Sequence, residues 1–268
     1  MYKYCRYEFE GRVRYGRVEG DILYTLRNEP WYDEIETGDI ISVQKVRLLA
    51  PSEPRVIIGL GGAYKEAWED KDPPVSVRWF VKPPGSTAAW NDDIILPASL
   101  DEVKAEVELV IVIGRKVKDA GEDRACDAIF GYTVGNDVVG TVDSYYRMMG
   151  ETSEFNENLL PPALKTCDRF APFGPFIYRD IEWRNRKRTL KIIDTNGTQR
   201  VLYENSTSGL LYSPGKIVSD ISRVLTLSPG DIIMTGTTKS FVVYPGETVE
   251  MTIEGMGTIK NKIVLQEG

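Results

Sequence analysis

The stretch Ala105-Glu106-Val107-Glu108-Leu109-Val110-Ile111-Val112-Ile113-Gly114 constrains the fold more than any other. Behind its acidic pair come six consecutive apolar or glycine positions, four of them β-branched, which predicts a fully buried strand. Glu106 and Glu108 sit two apart, so on a strand both carboxylates project to one face while Val107 points away. Two carboxylates on one face repel, and removing them from water is costly without a compensating cation. Two readings follow. In one, the strand starts wet and the pair is a charged rim. In the other, the two acids are hard oxygen ligands of a divalent metal. A second strand-like run some thirty residues on, Gly131-Tyr132-Thr133-Val134-Gly135-Asn136-Asp137-Val138-Val139, ends with an acid, Asp137, where a third ligand would be useful.

The chain contains no histidine. Ser-His-Asp and Cys-His catalysis are thereby excluded, and with them the commonest transition-metal ligand. A metal here must be held by carboxylates, carbonyls and water, which points to magnesium, manganese or calcium and away from zinc or copper. Cys5, Cys126 and Cys167 are odd in number and lack CxxC spacing, which argues against a disulfide frame or a thiolate zinc site. A net charge of −7 with no concentrated basic stripe argues against a nucleic-acid partner. The most basic run, Arg184-Asn185-Arg186-Lys187-Arg188, reads as a solvated hairpin edge. No run approaches the ~20 apolar residues that span a bilayer, and the first residues lack an apolar signal core, so a cytoplasmic protein is expected.

Along the chain, residues 1–52 alternate apolar and polar with period two, and Glu19-Gly20-Asp21 supplies a hairpin turn, predicting a small N-terminal β domain. Pro51 and Pro54 mark a linker to a second domain, residues 53–268. There Val56-Ile57-Ile58-Gly59-Leu60 predicts a buried strand running into Gly61-Gly62. A short lid-like helix is expected over Tyr64-Lys65-Glu66-Ala67-Trp68-Glu69-Asp70. Lys82, at the end of Trp79-Phe80-Val81-Lys82, is either a surface lysine or faces the site beside the acids. A helix is predicted from Glu122 to Phe130, a long loop from Asp143 to Thr166, and a second helix from Lys216 to Leu225. Strands are expected over Phe176–Tyr178, Leu190–Ile193, Val201–Tyr203 and Ile232–Thr237, with a closing hairpin from Val249 to Lys262. The fold class is therefore mainly β (α+β), with a few short helices.

An ordered set of pieces completes the reading: Phe80-Val81-Lys82-Pro83-Pro84, Glu106-Val107-Glu108-Leu109, Gly131 to Asp137, Lys165-Thr166-Cys167-Asp168 through Gly174-Pro175, Leu227-Ser228-Pro229-Gly230-Asp231, Thr235-Gly236-Thr237 and Ile253-Glu254-Gly255-Met256-Gly257. With these the chain resembles the fumarylacetoacetate hydrolase family of metal-dependent enzymes, across roughly residues 55 to 264. The resemblance implies a mixed β-sheet roll, usually a homodimer, with Mg2+ or Mn2+ (Ca2+ in crystals) on Glu106, Glu108 and Asp137. It also implies that Lys165 lies near metal and substrate and that Thr237, with Gly236, binds a substrate carboxylate. Tyr64 and Lys82 are the other candidate substrate contacts.

The sequence departs from the family's pattern twice. Hydrolases and decarboxylases of the group often carry a His-x-x-Glu pair on the lid, and matching Tyr64 puts Ala67 at the histidine and Asp70 at the glutamate. The Asn-Asp-x-x-x-Arg-Asp around the third ligand reads Asn136-Asp137-Val138-Val139-Gly140-Thr141-Val142, which removes an arginine.

Three carboxylates around one divalent ion leave open positions that a 2-oxo acid fills through its carboxylate and adjacent carbonyl oxygen, and the metal would stabilise an enolate. The expected activity is isomerisation, tautomerisation or decarboxylation of a small 2-oxo or 2-hydroxy-dienoic acid, with C–C hydrolysis a further route. The context of Ala67-Trp68 is similar to the isomerase/decarboxylase branch that handles 2-hydroxyhepta-2,4-diene-1,7-dioate and 5-carboxymethyl-2-hydroxymuconate. A desolvated Lys165 with lowered proton affinity is one candidate base, and Glu66, Glu69 or Asp70 on the lid are others. The alternatives are a dehydratase of 2-oxo-3-deoxy sugar acids and an inactive metal-binding structural protein.

Overall fold

The computed structural model describes residues 2–68, 71–98, 100–141 and 162–266. Asp70, and most of the loop expected from Asp143 to Thr166, lie outside the described residues. The N-terminal strands are β1 (Tyr2–Phe9), β2 (Arg12–Glu19), β3 (Ile22–Leu26), β4 (Glu36–Ser42) and β5 (Arg47–Leu48). Then come β6 (Ile57–Gly61), β7 (Arg78–Lys82), β8 (Thr87–Ala88), β9 (Ile94–Leu96), β10 (Val103–Ala105) and β11 (Val107–Ile113). Helix α1 (Glu122–Cys126) leads into β12 (Ile129–Asn136), β13 (Val139–Gly140), β14 (Ala171–Arg179), β15 (Lys187–Ile193) and β16 (Gln199–Ser206). Helix α2 (Pro214–Val224) precedes β17 (Ile232–Met234), β18 (Phe241–Val243), β19 (Thr248–Ile253) and β20 (Gly257–Leu265).

Among the described residues these strands form three sheets. The largest runs β4-β3-β2-β1-β14-β12-β11-β17-β6-β7, with β5 on β1 and β8 on β14. The N-terminal meander is thus hydrogen-bonded into the main sheet, because β1 pairs antiparallel with β14. A five-stranded sheet, β16-β15-β19-β20-β9, lies apart in hydrogen bonding but shares a core with the first. Val107 and Leu109 of β11 pack there with Leu190, Ile192, Met251, Ile253 and Ile259. Val110 and Val112, on the opposite face of β11, belong to a second cluster with Phe130, Ile177 and Met234. Ile111 and Ile113 enter a third cluster, so one strand feeds separate cores, and every residue of β11 is buried. That explains its unbroken apolar run.

Among the described residues both predicted helices form, one shorter than the periodicity predicts and one starting earlier. The expected helix from Glu122 to Phe130 stops at Cys126, because Ile129 and Phe130 enter β12 opposite β11. Helix α2 starts at Pro214, two residues before the predicted Lys216, with the Ser213 side chain accepting from the Lys216 N–H and Pro214 at its first turn. The lid-like element is a 3-10 turn over Lys65–Trp68. No helix among the described residues is long and apolar enough to cross a membrane.

Candidate metal centre

The β11–β12 register builds the centre. Val107 lies opposite Asn136 and Glu108 opposite Gly135, so one step further Glu106 faces Asp137. Two bonds fix that step: the Asp137 N–H donates to the Glu106 carbonyl at 3.1 Å, and the Glu106 N–H donates to Asn136 Oδ1 at 3.0 Å. Glu106 itself lies in the break between β10 and β11, on the same side as Glu108. The ligand oxygens of Glu106, Glu108 and Asp137 all lie within 4.8 Å of one another. Glu108 and Asp137 are 1 % exposed. Three hard carboxylates gathered in one buried place fit a divalent cation such as Mg2+, Mn2+ or Ca2+.

On its other side β11 pairs with β17, and that register continues to Thr235 opposite Leu109 and Gly236 opposite Glu108. The Gly236 N–H donates to Glu108 Oε2. Gly236 has φ +90°, and a Cβ there would meet the Leu60 carbonyl oxygen at 3.0 Å, so the turn needs glycine both for its backbone and for its space. Thr237 follows, half-buried, with its hydroxyl 3.5 Å from the Lys239 carbonyl.

Both candidate lysines converge on Asp137. Lys82 is 0 % exposed and donates to Asp137 Oδ1 at 2.5 Å and to the Val138 carbonyl at 2.9 Å. Of its two expected positions it takes the one beside the acids. Lys165, from the turn Pro162–Lys165, donates to Asp137 Oδ2 at 2.6 Å and lies 3.5 Å from Glu106 Oε2. Its ammonium rests 4.6 Å over the Phe80 ring. The register opposes Phe80 and Gly59, and a Cβ at Gly59 would come within 2.2 Å of that ring. The glycine before Leu60 therefore makes room for the aromatic platform under Lys165.

The charges sort themselves by environment. Burial drives the Glu108 carboxyl well above the usual carboxylate range, with the Asp137 and Glu106 charges adding to it. Burial also raises Glu106. Burial pushes Asp137 up as well, but the Lys82 and Lys165 ammonium groups outweigh it and hold the carboxyl below its ordinary value. The Lys165 ammonium is pulled two ways. Burial does lower its proton affinity, but Asp137 and Glu106 outweigh the burial and raise it above an ordinary lysine's. Lys165 thus stands as a cation that anchors Asp137. Lys82, wholly buried, is shifted downward by desolvation, only partly offset by Asp137.

Tyr64 is buried, with its Oη 3.5 Å from Thr235 Oγ1, and burial pushes its phenol up to about 12. Glu66 leaves Oε2 without a hydrogen-bond partner among the described residues. It lines a cavity of about 590 Å³ together with Tyr203, Asn205, Thr238, Lys239 and Phe241. Tyr203 Oη and Thr238 Oγ1 are 2.5 Å apart, and Asn205 Nδ2 donates to Tyr203 Oη at 2.7 Å. Thr238, in the cavity wall, is two residues from Gly236, whose N–H donates to Glu108.

One residue was missed. The run Arg184–Arg188 is not uniformly a solvated edge: Arg188 is 0 % exposed, and its Nη1 donates to the Gly236 carbonyl at 3.0 Å and to the Val107 carbonyl at 3.3 Å. The signal that could have found it is parity. Arg188 shares a face with Leu190 and Ile192, both core residues.

A family model described as "Fumarylacetoacetate (FAA) hydrolase C-terminal" matches residues 56–264, and one described as "Rv2993c-like, N-terminal" matches residues 2–51. Protein Rv2993c of Mycobacterium tuberculosis is 35 % identical over 243 residues, covering 89 % of this chain and 86 % of that protein. The 4-hydroxyphenylacetate degradation bifunctional isomerase/decarboxylase of Escherichia coli is 30 % identical over 94 % of this chain and 55 % of its own length. Among solved structures, 5-carboxymethyl-2-hydroxymuconate delta-isomerase from Mycobacterium smegmatis superposes with a TM-score of 0.84, at 33 % identity, covering 98 % of this chain and 100 % of that one.

Proposed function

The chain belongs to the fumarylacetoacetate hydrolase family, and on that premise we propose that it is a divalent-metal-dependent enzyme acting on a small 2-oxo or 2-hydroxy-dienoic acid by enolate chemistry. The observation that carries this reading is the convergence of Glu106, Glu108 and Asp137 within 4.8 Å. Mg2+ or Mn2+ on these residues supplies a positive charge against which an enolate can form. The protein's own groups do the rest. Lys82 and Lys165 keep Asp137 ionised, and the Gly236 N–H fixes the Glu108 carboxylate. The three acids face Lys82, Lys165 and Arg188, so a divalent ion leaves an excess of positive charge that an acid substrate offsets.

The net reaction moves only a proton: the 2-hydroxyl of the dienol loses one and a chain carbon gains one. Glu66 is the group we assign to that transfer, because its Oε2 is unpaired among the described residues and it lines the cavity walled by Thr238. Lys239 at the cavity wall suits a distal carboxylate, as in 5-carboxymethyl-2-hydroxymuconate, the compound in the name of the Mycobacterium smegmatis neighbour. The Tyr203–Thr238–Asn205 hydroxyl and amide ladder supports a second reading, dehydration of a 2-oxo-3-deoxy sugar acid, whose hydroxyls such a wall can hold.

The test is an absorbance assay of the Mg2+- or Mn2+-loaded protein on 5-carboxymethyl-2-hydroxymuconate, oxaloacetate enol and a 2-oxo-3-deoxy sugar acid. Loss of the dienol or enol band that stops with EDTA is the expected result. Turnover of none of the three by protein that binds Mn2+ tightly refutes the enzymatic reading.

A further inference from the structure

Arg188 stands where an arginine is expensive. It is the second residue of β15, paired with Asn205 on one side and Ile253 on the other, and it is fully buried. Its guanidinium lies 4.0 Å over the Tyr64 ring. Nε and Nη2 have no hydrogen-bond partner among the described residues. A desolvated cation of this kind persists only where its placement matters more than its cost.

What it holds is informative. Val107 is the residue between Glu106 and Glu108, and Gly236 is the residue whose N–H donates to Glu108. Arg188 Nη1 takes the carbonyls of both. A trans peptide is planar, with its C=O and the following N–H pointing in opposite directions. Drawing the Gly236 carbonyl onto the guanidinium therefore turns the Thr237 N–H away from it. The Thr237 N–H takes no hydrogen bond among the described residues, and Thr237 is half-buried and reachable. An unspent backbone donor, beside a carboxylate cluster, is a receiver for an anionic oxygen.

We infer that Arg188 is a positioning residue: it locks the Gly236–Thr237 peptide so that the Thr237 N–H receives the carboxylate of the acid substrate. The assignment rests on the 2-oxo acid reading above but adds a residue to it. Arg188 touches neither metal nor substrate. It acts through the one peptide it orients, and its charge polarises that peptide in the direction that makes the N–H a stronger donor. If Arg188 merely tied two sheets together, its loss would lower stability and leave ligand recognition alone.

The test compares Arg188→Met and Arg188→Lys with the parent protein, using amide ¹⁵N–¹H spectra and titration calorimetry with Mn2+ and then oxalate, a chelating dianion resembling a 2-oxo acid enolate. The Met variant should move the Gly236 and Thr237 amide resonances and bind Mn2+ no more than about threefold more weakly. It should lose oxalate affinity by about tenfold or more, the worth of one charge-assisted hydrogen bond. The Lys variant, which keeps a positive charge at 188, should recover oxalate binding to within about threefold of the parent. Unmoved amides, undiminished oxalate binding in Met, or no recovery in Lys would each overturn the inference. A parent protein that binds Mn2+ but not oxalate sinks the 2-oxo acid reading instead, and the amide shifts then judge the peptide lock alone. Should the Met variant not fold, Arg188→Gln takes its place in the same measurements.

Discussion

Lys82→Met is the perturbation whose size the structure fixes best. Lys82 and Asp137 are 0 % and 2 % exposed at their side chains, so water cannot screen the pair. Removing one partner of a buried ion pair costs about 3–5 kcal/mol, because the other is left charged and unpaired. Here Lys165 stays on Asp137 Oδ2, which places the loss near the lower end, about 3 kcal/mol. For a chain of this length that is a melting-temperature drop of about 5 °C. Methionine fills most of the volume, so a cavity contributes little, but the Val138 carbonyl also loses its donor. The assay is thermal unfolding followed by circular dichroism at pH 7.5, once in EDTA and once in saturating Mn2+. In EDTA the full drop is expected. In Mn2+ it should shrink, because a divalent cation gives Asp137 another counter-charge. A drop below about 2 °C in EDTA, or an identical drop in both conditions, would show that Lys82 is not the counter-ion of a metal-ligating carboxylate.

Three further outcomes follow from the same geometry. Glu106 and Glu108 have folded-state proton affinities above their unfolded values, so the metal-free fold binds more protons than the unfolded chain and loses stability as pH rises from about 4.5. EDTA-treated protein should therefore melt higher at pH 5.5 than at pH 8.0, and Mn2+ should raise the melting temperature more at pH 8.0; equal gains at both values would contradict the assignment. Glu108→Gln should weaken Mn2+ binding, measured by calorimetry, by more than the roughly 10–100-fold that a supporting residue is worth; unchanged affinity would remove Glu108 from the ligand set. Gly236→Ala forces a side chain into φ +90° and against the Leu60 carbonyl, at a cost of roughly 1–3 kcal/mol, and should lower oxalate binding as well as stability. A variant with parental melting and oxalate affinity would mean that the turn is not held as described.

Much of the centre was legible because it is local in a sheet. Glu106 and Glu108 share a face by strand parity alone, and Asp137 ends the next strand-like run, so one antiparallel register was enough to bring the three together. The buried run of β11 announced a strand covered on both faces. The helix from Glu122 was overextended because Ala125 and Ile129 are four apart, a helical spacing, while Ile129 is in fact recruited to β12 by the empty edge of β11. Propensity read in a short window cannot see that edge.

Arg188 was illegible for a different reason. Its neighbours Arg184, Arg186 and Lys187 are charged, and Lys187 is exposed, so charge density favoured a solvated edge. Only the packing of two separate sheets brings residue 188 against residues 107 and 236, contacts that span eighty-one and forty-eight positions of chain. The sequence does show the complementary gap, since Thr141 stands where the resemblance calls for an arginine after Asn136-Asp137. Arg188 places a positive charge near Glu108 and the Gly236 turn. A chain that carried Arg188 as packing alone would have no reason to leave two of its nitrogens unpaired beside that turn.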